Sequence, residues 1–334
     1  MAFDFPASPT VGQQFSPVPG VTYTWNGYGW AAQSPISSTL GPPQGRLTLQ
    51  TATPVMTTTQ AAKTTIFYTP YVGNLVPIYD GTNFSMVAFS ELSALTTDTT
   101  KSPAAIGVSK VNDWFVWNDA GTIRVGHGPD WTSDTTRSAG TALTRVNGIW
   151  LNAVAITNGP AALRGTYVGT TRSNGLSQLD WIYGSLAVNW GAGFLGVWNA
   201  YNRVNVATRT ADSTDNWTYA TPVWRAANGN ATARISFVIG LEEDAIDAVY
   251  YGAASGSSAQ LGVGLDSTTV FSGTAAWSSS SIAIAISASY RGTVGVGFHY
   301  VSPIEYNFSG TSTFYGDASL PLVIQTGFYL TVRM

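Results

Sequence analysis

"DWFVWNDAGTIRVGHG", Asp113 to Gly128, sets how the rest of the chain is read. Two runs rich in aromatic and β-branched residues flank a loop at Asn118-Asp119-Ala120-Gly121, which predicts a β-hairpin. The same grammar recurs on both sides. "TTIFYTPYVGNLVPIYDGTNFSMVAF" turns at Gly73-Asn74 and Asp80-Gly81. "TALTRVNGIWLNAVAITNGP" turns at Asn147-Gly148, and "RGTYVGTTRSNGLSQLDWIYGSLA" at Asn174-Gly175. Turn signals at intervals of roughly ten residues, with almost no helical periodicity, mark an all-β sandwich, barrel or meander.

The pattern continues through "RISFVIG", "IAIAISASY", "GTVGVGFHY" and the closing "LPLVIQTGFYLTVRM". One stretch reads differently. "LEEDAIDAVYYGAAS" sets Ala245, Ile246, Val249 and Tyr250 on one helical face with acids in the first turn, which predicts a short helix over residues 242–252, closed by Gly252. Near the other end, "VTYTWNGYGW" (Val21–Trp30) predicts a hairpin with Asn26-Gly27 as its tight turn. A lone hairpin is marginal in water, so it needs something to pack on.

These segments divide the chain into an aromatic hairpin module at 1–32, a Pro/Ser/Gly linker at 33–45, a β domain at 46–185 and a C-terminal β-sandwich at 186–334. The expected fold class is mainly β, with antiparallel sandwich or jelly-roll-like domains and the one short helix.

Composition narrows the function. Only 10% of the 334 residues are charged, whereas 13% are aromatic, so there is ample apolar surface to bury. The net charge of −3, with 15 dispersed Lys and Arg, supplies no basic stripe for nucleic acid. The absence of cysteine excludes disulfides and thiolate–metal sites. "MAFDFPASPT" has neither a basic leader nor an apolar run of signal length, and the longest apolar stretches are too short for a spanning helix. A chain made in a cytoplasm, without a membrane, is expected.

No catalytic or metal-binding motif emerges, and no cofactor is expected. His127 and His299 lie far apart with no ligand spacing between them and read as turn or strand-surface residues. Glu242, Glu243, Asp244 and Asp247 could bind calcium or supply paired carboxylates, but acids in a helix first turn account for them without chemistry. The G-x-G pieces in "VGVGFHY" and "LGVGLDS" open no helix after a strand, so no phosphate cradle is expected. Trp114, Trp117, Trp131, Trp217 and Trp224 lie beside polar residues and could stack on sugars, although tryptophans on alternating strands usually belong to a core. The candidates for glycan contact are Trp217, Tyr219 and Trp224.

"FDFPASPTVGQQFSPVPGVTYTWNGYGW" resembles a short module of tailed-bacteriophage structural proteins. The matching positions are Phe5, Pro6, Ser8, Pro9, Gly12, Gly20, Val21, Tyr23, Trp25, Gly27 and Trp30. Segments such as "PQGRLTLQTATPVMTTTQAAKTTIFYTPYVGNLVPIYDGTNF" and "GVWNAYNRV" are similar to the body of phage fibre-like proteins. The resemblance implies a non-enzymatic virion component, a fibre or appendage of tail or head, assembled in the bacterial host cytoplasm with other virion proteins. It also implies a homo-oligomer, a trimer above all, burying strand faces and edges between chains. Its docking residues would be Phe3, Phe5, Tyr23, Trp25, Tyr28 and Trp30. A carbohydrate-binding receptor-recognition module is the alternative. A polysaccharide depolymerase is disfavoured by the lack of a 20-to-30-residue repeat or a carboxylate-lined cleft. The hairpin could also simply cap the next β domain of its own chain.

Overall fold

The computed structural model describes residues 4–18, 21–33, 40–184, 191–319, 322–324 and 326–334. The hairpin that anchored the sequence reading forms from Val111–Asp119 and Thr122–His127, in register from Trp114 opposite His127 to Asp119 opposite Thr122. Its strands run further than expected, through Asn118 and Asp119, and leave a two-residue turn. Ala120 and Gly121 both take positive φ (49° and 96°), as a turn matched to the right-handed twist of a hairpin requires. The Asn118 side-chain oxygen accepts from the Gly121 N–H at 2.6 Å and closes the loop.

This hairpin is one edge of a six-stranded antiparallel sheet. Beyond Val111–Asp119 come Thr166–Arg172, Ile149–Asn152 and Leu143–Val146, and Val197–Asn199 also pairs with Thr166–Arg172. All seven residues of Thr166–Arg172 are buried, so it is covered on both faces. A three-stranded sheet (Gly45–Thr48, Thr65–Pro70, Leu92–Leu95) and the hairpin Leu75–Tyr79/Phe84–Ala88 pack around it.

A further, 14-stranded sheet folds over into two facing halves, and Asn216–Tyr219, Arg225–Ala226 and Ser312–Tyr315 pair onto it off the main path. One half contains Ser272–Ser278, Ala259–Leu265, Gly297–Asn307, Ile235–Ile239, Gly193–Leu195, Leu179–Ile182 and Gln60–Lys63, in that order. The other runs Asn205–Thr210, Gly327–Arg333, Ala245–Ser255 and Ile284–Thr293. The Thr274–Ser289 pairing joins the two at one margin. Their faces meet closely: a Cβ on Gly252 would stand 3.2 Å from Leu261 Cδ1. Leu179–Ile182 and Gly193–Leu195, on either side of residue 186, are neighbours in one sheet, and buried residues from Leu47 to Met334 form one apolar cluster. Residues 34–39 of the expected linker lie outside the described residues.

The mainly β class holds, but the short helix does not. Residues Ala245–Ser255 form an 11-residue strand. Ile246, Ala248, Tyr250 and Ala254 are buried, whereas Asp247, Val249, Tyr251 and Ala253 alternate outward. Ile246, Val249, Tyr250 and Tyr251 suit a pleated surface, and ten paired positions with Ile284–Thr293 plus five with Gly327–Arg333 outweigh the helical reading. The acids sit in and after the turn before that strand. Glu243 pairs with Arg145 (3.2 Å) and Arg203 (2.8 Å), Asp244 with Arg203 (3.0 Å) and Arg333 (3.1 Å), and Asp247 with Arg291 (3.0 Å). Among the described residues the helical turns are the three-residue 3₁₀ segments Ala139–Thr141 and Ala227–Gly229.

Charged groups that enter the interior are matched one by one. Arg46 is met by main-chain oxygens. Its Nε donates to the Pro54 carbonyl at 2.8 Å, Nη2 to the Met334 oxygen at 3.0 Å, and Nη1 to the Asn202 carbonyl. Burial lowers its pKa to about 10, still charged at neutral pH. Asp113, fully buried, accepts from Arg137 Nε at 2.7 Å and from the Thr170 hydroxyl at 2.6 Å. Arg137 also donates to the Gly240 carbonyl at 2.6 Å and lies 4.4 Å over the Trp131 ring. Removing one partner of such a pair leaves the other charge buried. Arg137→Ala is therefore expected to lower unfolding stability by about 3–5 kcal/mol in denaturant titrations, and Arg137→Lys, which loses the fork, by an intermediate amount.

Candidate functional site

The N-terminal module is a three-stranded antiparallel sheet of Gln14–Val18, Val21–Trp25 and Trp30–Gln33. The expected two-stranded hairpin thus gains a third strand, and its turn spans Asn26–Gly29, closed by Trp25 opposite Trp30. Asn26 Oδ1 accepts from the N–H groups of Tyr28 and Gly29 at 2.9 Å each, and Gly27 supplies the positive φ of 98°. Register puts Phe15 opposite Tyr23 and Trp25 opposite Trp30, so these four rings share one face. The other face is polar, with Ser16 and Thr22 hydroxyls 2.9 Å apart.

Phe5 lies over the aromatic face. Its ring centroid is 5.3 Å from Phe15, 5.0 Å from Tyr23 edge-on and 5.5 Å from Trp30 in a stacked arrangement, and Trp30 is 5.7 Å from Trp25. Four of the six candidate docking residues, Phe5, Tyr23, Trp25 and Trp30, therefore meet each other. Phe15, which the sequence reading did not single out, completes the set. All five rings are half-buried. Tyr28, at the loop tip, is 97% exposed. Phe3 lies outside the described residues.

The candidate sugar contacts converge on a different region, around Glu305. Trp217 is buried, stacks on Phe314 at 14° and donates its indole N–H to Glu305 Oε2 at 2.7 Å. Arg225 brings Nε and Nη2 to Glu305 Oε1 at 2.7 and 2.6 Å, and its guanidinium lies 3.8 Å over the Tyr219 ring. Tyr219 donates its hydroxyl to the Val223 carbonyl at 2.7 Å. Trp217 is thus core, and Tyr219 lies against Arg225. Trp224 is the one of the three that faces a surface aromatic group, with Phe271 and Tyr306 both at 5.2 Å. Phe271 and Tyr306 were not foreseen, since only the pairing of distant strands brings them beside Trp224.

Glu305 is fully buried, and desolvation raises its pKa despite the opposing pull of Trp217 and Arg225. Both of its oxygens are occupied, so it holds the fold together instead of facing a cleft. The histidines also sit deeper than expected. His127, on the strand Thr122–His127, is 2% exposed, lies edge-on to Trp114 and has Nδ1 2.8 Å from the Gly128 carbonyl; burial lowers its pKa. For His299, burial pulls the pKa down, but the Asp266 carboxylate 2.8 Å from Nδ1 and the Gly295 carbonyl near Nε2 give a net rise. Among the described residues no group of three or more His, Asp or Glu is arranged to hold a metal, and no helix is long and apolar enough to cross a membrane.

Compared with known proteins, the chain matches no family model and no curated protein.

Two outcomes test these geometries. Trp30→Ala removes ring contacts to Phe5, Phe15 and Trp25, about 2–4 kcal/mol in total for three pairs. Amide hydrogen-exchange protection across residues 14–33 should collapse while the melting of the body stays unchanged; an equal loss in both would make the module part of the body's core. Glu305, with its pKa raised above the ordinary 4.5, stabilises the fold most below that value and loses this contribution as pH rises through the raised value. Unfolding free energies measured from pH 4 upward should therefore fall for the native chain relative to Glu305→Gln.

Proposed function

We propose that this chain is a non-enzymatic structural component of a tailed-bacteriophage particle, a fibre or appendage protein of tail or head. The N-terminal module joins it to other virion proteins, and the β body projects from that attachment. The observation that carries this reading is the separateness of the module. Among the described residues its three strands pair only with one another, its aromatic face is closed by Phe5 yet remains half-buried throughout, and Tyr28 stands out at its tip. The half-covered aromatic face of this three-stranded sheet leaves apolar surface that a partner can bury. The similarity of "FPASPTVGQ" and "GVTYTWNGYGW" to phage structural modules supports the same assignment.

In the particle the chain acts as a homo-oligomer, with a trimer the arrangement that suits fibres. The body supports such assembly by its low charge and by sheet margins at Asn205–Thr210 and Gln60–Lys63 that carry no further strand among the described residues.

The test is incorporation. A phage carrying this gene with residues 1–40 deleted should yield particles that lack the protein while the truncated body remains folded in the lysate. Tyr28→Ala alone should reduce its occupancy in purified particles. Normal stoichiometry of the truncated chain would overturn the assignment.

A further inference from the structure

The surface around Trp224 combines aromatic faces with polar groups that the protein itself leaves unused. Gln260 stands directly opposite Tyr306 on one neighbouring strand and opposite Trp277 on the other. Directly opposed residues share a face, so Tyr306, Gln260 and Trp277 form one row across three strands, about 10 Å from end to end. Two residues along from Gln260, Gly262 has no side chain, and Trp224 settles into that gap. A Cβ there would stand 2.9 Å from Trp224 Cζ3 and 3.1 Å from Phe271 Cβ. The result is a shelf of Trp224, Phe271 and Tyr306, with the Gln260 amide beside it and Trp277, 63% exposed, at the far side.

Charge and hydrogen bonding limit what this shelf can hold. From Ser267 to Tyr290 the chain carries no charged residue, and Arg225, adjacent to Trp224, turns away to Glu305. Among the described residues, the Gln260 amide, the Tyr306 hydroxyl and the Trp224 indole N–H have no hydrogen-bond partner in the protein, and none of them is sealed from solvent. A dry protein contact would strand these groups without partners, which is unfavourable. A sugar ring matches both features, since its C–H face lies on an aromatic ring while its hydroxyls bond the amide, phenol and indole. With Arg225 engaged by Glu305 and no charged residue from Ser267 to Tyr290, the shelf disfavours carboxylated or phosphorylated sugars.

The geometry points to a binding site for a neutral saccharide on this shelf. Trp224 and Trp277 supply stacking faces, and Gln260 and Tyr306 supply hydrogen bonds. The site does not depend on attachment to a particle, so the two readings fail separately.

The test uses the purified full chain, titrated by tryptophan fluorescence and calorimetry. The probes are neutral oligosaccharides of glucose, galactose, mannose and N-acetylhexosamines, with sialylated and uronate-containing oligosaccharides alongside. At least one neutral probe should bind saturably. Trp277→Ala should weaken it by about tenfold or more, and Gln260→Ala by about fivefold. Both side chains lie at the surface, so circular dichroism and melting of these variants should match the native chain. The proposal is overturned if no neutral probe binds, if both variants bind as the native chain does, or if acidic probes bind more tightly. It is also overturned if Trp277→Ala changes only the sedimentation mass, which would make the shelf a contact between copies.

Discussion

The buried pairing of Arg137 with Asp113 connects parts of the chain that no strand pairing joins directly. Asp113 lies on the central hairpin, Arg137 comes from the segment after it, and the same guanidinium reaches the Gly240 carbonyl beyond the strand Ile235–Ile239. Thr170 and Tyr167, on the fully buried strand Thr166–Arg172, extend this network. A charge placed there is tolerable only with every oxygen engaged, so the network specifies relative positions as well as adding stability. Arg46 does the same with backbone acceptors, holding residues 54, 202 and 334 around one guanidinium. In a chain with so few charges, those that are buried work as fasteners between sheets.

Aromatic residues serve three different purposes, and their environment separates them. Trp114, Trp131, Trp181 and Trp198 are fully buried and fill the body's core. Phe5, Phe15, Tyr23, Trp25 and Trp30 build a small half-covered cluster that stabilises a sheet too small to have an interior. Trp224, Phe271, Tyr306 and Trp277 lie on an outer sheet face with polar atoms left open. The proposed attachment and the proposed saccharide site thus use the same residue types in different degrees of cover.

The hairpin at Asp113–Gly128 was legible because its signal is local: β-prone runs on either side of a turn pair with each other over a few residues. The strand Ala245–Ser255 was misread because "AIDAVYYGAA" satisfies a helical face and a pleated face alike, and its partners lie about 40 and 80 residues away. Trp217 and Trp224, seven residues apart, looked equivalent. Only the distant Glu305 and Phe314 make the first a core residue, and only Phe271 and Tyr306 make the second part of a surface shelf. A chargeless run from Ser267 to Tyr290 was visible in the sequence, but it signals an unusual surface without saying what lies beside it.

By itself, the sequence determined the β class, the hairpins turning at Asp80-Gly81, Ala120-Gly121 and Asn147-Gly148, and the compact aromatic module near the N-terminus, because turn chemistry and alternation act between near neighbours. The tertiary structure decided which charges are buried, that strands on both sides of residue 186 share a sheet, and which tryptophans face solvent. Those outcomes depend on pairings between segments far apart in the chain, where burial and register are set by packing that no local pattern encodes.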